Sequence, residues 1–158
     1  MKKAFTAIAF LILAFNVFAL EFRNTSWLMT KDEVIASETG RIVSELNLPG
    51  QHQVVFRTLV NGFPATITYL LEDDKLLSAS YTFKRDLDRA AFDAMKQELT
   101  GKNGKPTFEK ENLLGWRLQR TEIALAHLPD GTSYAAYWEK TYFARLNNLP
   151  GTGGSGKF

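Results

Sequence analysis

The stretch over residues 62–84, GFPATITYLLEDDKLLSASYTFK, most constrains what this chain can fold into. Phe63, Ala65, Ile67, Tyr69 and Leu71 alternate with Thr66, Thr68 and Leu70. After Glu72-Asp73-Asp74, Leu77, Ala79, Tyr81 and Phe83 alternate with Leu76, Ser78, Ser80 and Thr82. A strand sends successive side chains to opposite faces, so this period of two marks strands with one buried side. Joined by turn formers, the two runs predict an antiparallel hairpin with one apolar face, and the flanking chain reads as material that covers it.

Upstream, Thr30-Lys31-Asp32-Glu33 has the spacing of a capping box. The Thr30 side chain can accept the Glu33 amide while Glu33 reaches back to the Thr30 amide, and Asp32 and Glu33 suit the positive end of a helix. A helix is predicted from there to about Asn47, with Ile35, Ile42 and Leu46 as its apolar stripe, ended by Leu48-Pro49-Gly50. Residues 53–60 read as a strand, and Asn61-Gly62 is a strong hairpin signal, giving three consecutive antiparallel strands. Pro64 places the start of the middle strand at an edge or before its ladder begins.

Asp86 is predicted to cap a second helix running from Leu87 to about Leu99, with Leu87, Ala91 and Met95 on one side and Thr100-Gly101 closing it. Residues 113–128, with Trp116, Leu118, Ile123 and Leu125, form one bent strand or two. After the turn at Pro129-Asp130-Gly131, residues 132–143 predict a last strand. Tyr134, Ala136, Trp138 and Tyr142 share one of its faces, and Tyr137 and Phe143 the other. The predicted fold class is α+β: a two-layer sandwich, an antiparallel sheet of five or six strands with two helices on one face, in the order α-β-β-β-α-β-β-β. The two halves look loosely similar without a residue-level repeat.

Met1-Lys2-Lys3, the apolar run over residues 4–15 and Val17-Phe18-Ala19 have the layout of a signal peptide, so residues 1–19 are expected to be removed on export. The run falls short of the roughly 20 residues that cross a bilayer, so no stable membrane insertion is expected after processing; an uncleaved anchor is the competing reading. Residues 20–146 form the single expected domain, and the glycine- and serine-rich residues 147–158 the expected disordered tail. The expected location is the periplasm or the exterior. The absence of cysteine removes disulfides, thiolate metal sites and a lipid-bearing cysteine from consideration. Nineteen Lys and Arg oppose seventeen Asp and Glu, and without Lys2 and Lys3 the balance is even, which argues against a nucleic-acid partner.

No catalytic, metal or nucleotide residues and no cofactor are expected. The tail run Gly151 to Lys157 has the glycine–lysine spacing of a phosphate loop but lacks the following hydroxyl residue and helix. His52 and His127 are too few for a three-ligand zinc site, and His127 can face a core or a groove. Ser78, Ser80 and Ser133 lie in no nucleophile elbow. Glu72-Asp73-Asp74 reads as a solvated turn. The aromatic side chains are the remaining signal. Trp116, Tyr134, Tyr137 and Trp138 are the candidate binding residues, because one face of the last strand must stay outside the helix layer unless sheet curvature buries both sets.

Trp27-Leu28-Met29-Thr30-Lys31-Asp32-Glu33-Val34 resembles the W-x-M-[ST]-x-x-E-V opening of small exported bacterial domains. These include β-lactamase-inhibitory-protein-like domains and small lipoproteins of the outer-membrane assembly machinery. Tyr81-Thr82-Phe83 is similar to a strand ending common among them. The resemblance implies a non-enzymatic periplasmic protein that binds other proteins, such as an envelope protein, through its sheet. A small-ligand-binding protein or small hydrolase with a pocket between helices and sheet is the alternative.

Overall fold

The computed structural model describes residues 21–148. In order the elements are α1 (Lys31–Ser37), β1 (Arg41–Leu48), β2 (Gln51–Val60), β3 (Phe63–Glu72), β4 (Lys75–Phe83), α2 (Ala90–Asn103), β5 (Phe108–Lys110), β6 (Leu113–Arg117), β7 (Thr121–His127), β8 (Ser133–Glu139) and α3 (Lys140–Asn147). Neighbouring strands pair antiparallel in one eight-stranded sheet of order β1-β2-β3-β4-β8-β7-β6-β5. Each half of the chain is thus a helix followed by a four-strand meander. The last strands of the two meanders join along a ladder from Ser78–Trp138 to Phe83–Ser133.

Local chemistry explains most of these elements. At Asn61-Gly62 both residues take positive φ, 52° and 83°, the geometry of the tight turn whose twist matches its strands. Asp73 and Asp74 do the same between β3 and β4. The capping box forms: Glu33 N donates to Thr30 Oγ1 and Thr30 N to Glu33 Oε2. Asp74 adds a further acceptor for the Lys31 amide at 2.9 Å, so the hairpin tip closes the start of α1.

Tyr69, Ile67, Leu71, Phe56, Val54 and Leu114 stand on one face of the sheet and are fully buried. Val34 of α1 and Ala91, Phe92, Met95 and Leu99 of α2 complete that core. Phe22 is its aromatic hub, with ring centroids 4.6 Å from Tyr81, 4.9 Å from Tyr137 and 5.4 Å from Tyr69. The lead-in to α1, residues 21–29, is fixed by Trp27 Nε1 donating to Thr121 Oγ1 at 2.9 Å and by two backbone bonds with Leu76. Removing a ring as enclosed as Phe22 would cost about 3–5 kcal/mol.

The expected sandwich of five or six strands and two helices, in the order α-β-β-β-α-β-β-β, is corrected: the sheet has eight strands, and three helices are present among the described residues. The first helix stops at Ser37 rather than near Asn47, and residues 41–48 are the edge strand β1. Ile42 and Leu46 fit a helical stripe, but β1 is exposed on nearly all its length and so carries no buried alternation to betray it. Residues 113–128 divide into β6 and β7, and the three-residue β5 lies outside them. Leu87 is exposed in the loop before α2, which begins at Ala90 and runs on through Gly101. In β4 a bulge at Leu77 puts Leu76, not Leu77, in the core. Pro64 lies on interior β3, outside its ladder with β4. The expected leader, residues 1–19, lies outside the described residues, as does the tail from residue 149 onward, including the glycine–lysine run; Asn147 ends α3.

Candidate binding groove

The last strand ends four residues earlier than its sequence suggests. At Glu139 the chain leaves β8, and the Glu139 carboxylate accepts the Tyr142 amide at 2.8 Å, capping α3. Tyr142 and Phe143 are therefore helical, which corrects their placement on the two faces of a strand. Tyr142 is buried, and Phe143 folds back onto Trp138 with ring centroids 5.3 Å apart.

This fold-back builds one wall of a groove of about 350 Å3 on the sheet face away from α1 and α2. Register makes its floor. Gly115 of β6 pairs with Ala124 of β7, which pairs with Ala136 of β8, so a row of minimal side chains crosses three strands. The row on one side carries Leu113, Ala126 and Tyr134; the row on the other carries Arg117, Glu122 and Trp138. Phe108, opposite Gly115 on β5, closes the outer end. Small residues between large ones on a pleated sheet leave a trough running across the strands. Arg117 Nε stands 3.6 Å from Glu122 Oε2 at one side. Burial raises the Glu122 carboxyl above its ordinary range, against the opposing pull of Arg117 and Lys140.

Of the four aromatic candidates, Trp116, Tyr134 and Trp138 line this groove. Tyr137 does not, and Trp116 is at the same time part of the buried helix-side core, its Nε1 donating to Gly104 O at 3.0 Å, at the end of α2. Phe108, Gly115, Ala124 and Phe143 are groove residues that sequence reading does not single out. Glycine and alanine acquire meaning only once their cross-strand neighbours are known.

The histidine, serine and aspartate side chains also come together. His127 Nδ1 lies 2.8 Å from Ser133 Oγ, which donates to Asp86 Oδ2 at 2.5 Å. Asp86 in turn accepts the Ala91 and Phe92 amides at 2.9 Å each, so it caps α2 from across the loop rather than from the residue before it. Burial pushes the Asp86 carboxyl up, but the bonds from Ser133 and the two amides, with His127 nearby, bring it below its ordinary value. The serine, not the histidine, stands in the middle, and its hydroxyl is fully buried and already donating to a carboxylate. A hydrolytic nucleophile needs the histidine as its base and open access to substrate. This cluster anchors a helix.

His52 meets Asn47 across the β1–β2 pair, and Glu72 at the hairpin tip pairs with Arg145 of α3. Among the described residues no group of three or more His, Asp or Glu could hold a metal, and no helix is long and apolar enough to cross a membrane. Comparison of the chain with protein-family models, with curated proteins and with solved structures gave no match.

Proposed function

We propose that the protein is an exported, non-catalytic binding module that holds a partner protein against the groove on the sheet face turned away from α1 and α2. The observation that carries this reading is the pairing of a Gly115–Ala124 floor with aromatic walls at Trp138, Phe143 and Tyr134. Aromatic side chains supply large contact area at low entropic cost, and a trough beside them accepts a protruding apolar side chain of the partner. The wiring of Asp86, Ser133 and His127 as a helix anchor supports a role without chemistry. Export rests on the leader-like layout of residues 1–19, with the periplasm or cell exterior as destination and an envelope protein as partner.

Affinity capture from an envelope fraction, run in parallel with wild type and Trp138→Ala, tests the reading. A partner retained by the wild type and lost with the variant is expected. Capture of the same proteins by both, or recovery of the chain only from the cytosol with residues 1–19 intact, would defeat it.

A further inference from the structure

On the opposite, helix-bearing side the sheet borders a second cavity, of about 550 Å3, within the size range of small-molecule sites. Its inner end is aromatic and aliphatic: Phe22, Tyr81, Tyr137, Ile123 and Leu99, all buried. Its mouth is charged, with Arg23 from the lead-in, Lys102 from the last turn of α2 and Arg120 from the β6–β7 turn. The mouth is built rather than incidental. Arg23 sits at φ 50°, a conformation uncommon for a residue with a Cβ, inside a turn closed by the Phe22–Thr25 bridge and the Thr25 Oγ1 bond to Phe22 O. Asn61 donates to Glu98 at 2.6 Å and ties the β2–β3 turn to α2 across the cavity.

The donor and acceptor balance selects the ligand. Two carboxylates line the cavity, Glu21 and Glu98, against three cations, and a third, Glu38, pairs with Arg23 from outside the lining, so Lys102 is the one cation of the three without an ion partner among the described residues. Glu98 is engaged by Asn61, and Glu21 accepts the Trp27 amide at 3.2 Å while its other oxygen stands 2.8 Å from Arg120 Nη1. Arg23 spends its Nε on the buried Glu38, at 2.8 Å. A guanidinium carries five N–H donors, so both arginines keep donors beyond these bonds, with Arg23 also bonded to the Tyr81 phenol. Lys102 makes no ion pair with a described residue. The phenols of Tyr81 and Tyr137 stay protonated well beyond their ordinary range because they are buried, and so remain neutral at the inner end.

We propose that this cavity binds a small amphipathic organic acid, its carboxylate held at the mouth by Lys102 with Arg120 and Arg23, its aromatic or aliphatic body between Phe22, Tyr81 and Tyr137. The site lies on the other side of the sheet from the groove and stands or falls independently of it.

Indole-3-acetate is the probe, with tryptamine as the same ring bearing the opposite charge, titrated into the purified chain by amide-resolved NMR. Saturable shifts centred on Arg23, Lys102 and Thr121 are expected, with binding of tryptamine at least about tenfold weaker. Lys102 is exposed on the last turn of α2, and Lys102→Glu is expected to keep the fold by circular dichroism while weakening indole-3-acetate about tenfold or more. The proposal is overturned by absence of saturation up to about 5 mM. Equal affinity for tryptamine, indifference to Lys102→Glu, or shifts centred on Gly115 and Trp138 would overturn it as well.

Discussion

On the face turned away from α1 and α2, the two meanders carry opposite chemistry on the same scaffold. Across β3 and β4 that face shows Thr66, Thr68, Ser78, Ser80 and Thr82, a hydroxyl-bearing surface with β-formers in register. Across β6, β7 and β8 it shows Gly115, Ala124 and Ala136 between Tyr134 and Trp138. Ser78 donates to Tyr137 O at 3.1 Å, and hydroxyls on a half-exposed sheet are otherwise open to water and ask for no partner. A trough of alanine and glycine walled by aromatic rings gives up packing that something else can supply. The strands differ as well. β2 and β3 are ten residues each, while β5 and β6 are three and five, so the first half relies on its ladders and the second on a fourteen-residue helix and its anchor.

The anchor gives the widest test of that contrast. Asp86→Ala deprives two helix amides and the Ser133 hydroxyl of their acceptor at once and is expected to cost about 3 kcal/mol. Thr30→Ala, which removes only the cap of the seven-residue α1, should cost about 1 kcal/mol. Urea denaturation of both variants would break the comparison if the two losses were equal.

Next comes the groove wall. Trp138→Ala, at a half-buried ring stacked only on Phe143 among the ring contacts described, is expected to cost about 2 kcal/mol and to abolish partner capture. Thr68→Ala on the hydroxyl face should change stability by less than about 0.5 kcal/mol and leave capture intact. A capture defect in the threonine variant would show that the binding surface extends over both halves.

Acid sharpens the contrast further. The depressed Asp86 carboxyl contributes stability that is fully present above its unfolded value near 3.8 and is lost as pH falls through the lower folded value. Asp86→Asn, measured by thermal melts between pH 2 and pH 5, should flatten that acid slope. A slope unchanged in the variant would assign the acid sensitivity to other carboxylates.

The smallest effect is the most diagnostic. A Cβ on Gly115 would meet Ile123 O at 3.6 Å and Phe108 Cβ at 3.8 Å, ordinary contact distances. Gly115→Ala should therefore raise stability by about 0.5 kcal/mol while raising the groove floor and weakening capture. Opposite signs for stability and binding would mark a floor kept low for an occupant.

How much of this was legible depends on how local the determinant is. The β3–β4 hairpin, the Asn61-Gly62 turn and the Thr30–Glu33 box declare themselves within a few residues. The edge strand β1 does not, since Val43, Leu46 and Leu48 are exposed and Ile42 and Leu46 also fit a helix. α3 begins at a glutamate, a weak capping signal next to Ser, Thr, Asp or Asn, and its Tyr142 and Phe143 continue the aromatic pattern of β8. Asp86 was readable as a helix cap, but not its link to Ser133, 47 positions away. Period-two spacing sets Tyr137 on the face opposite Tyr134 and Trp138, but it gives no means of telling which of the two faces the helices cover, or that Trp116 shares the layer of Tyr137.

The join between β4 and β8 has a consequence for assembly. Hairpins within each meander close over short loops, whereas the β4–β8 ladder links residues 50 to 60 positions apart and so forms against a larger loop-closure entropy. Until it zips, each half offers an unpaired inner strand, nine residues long in β4 and seven in β8. A neighbouring molecule's β8 can take the place of the chain's own, so an exchanged dimer, trading whole halves, is the characteristic misassembly of this architecture at high concentration.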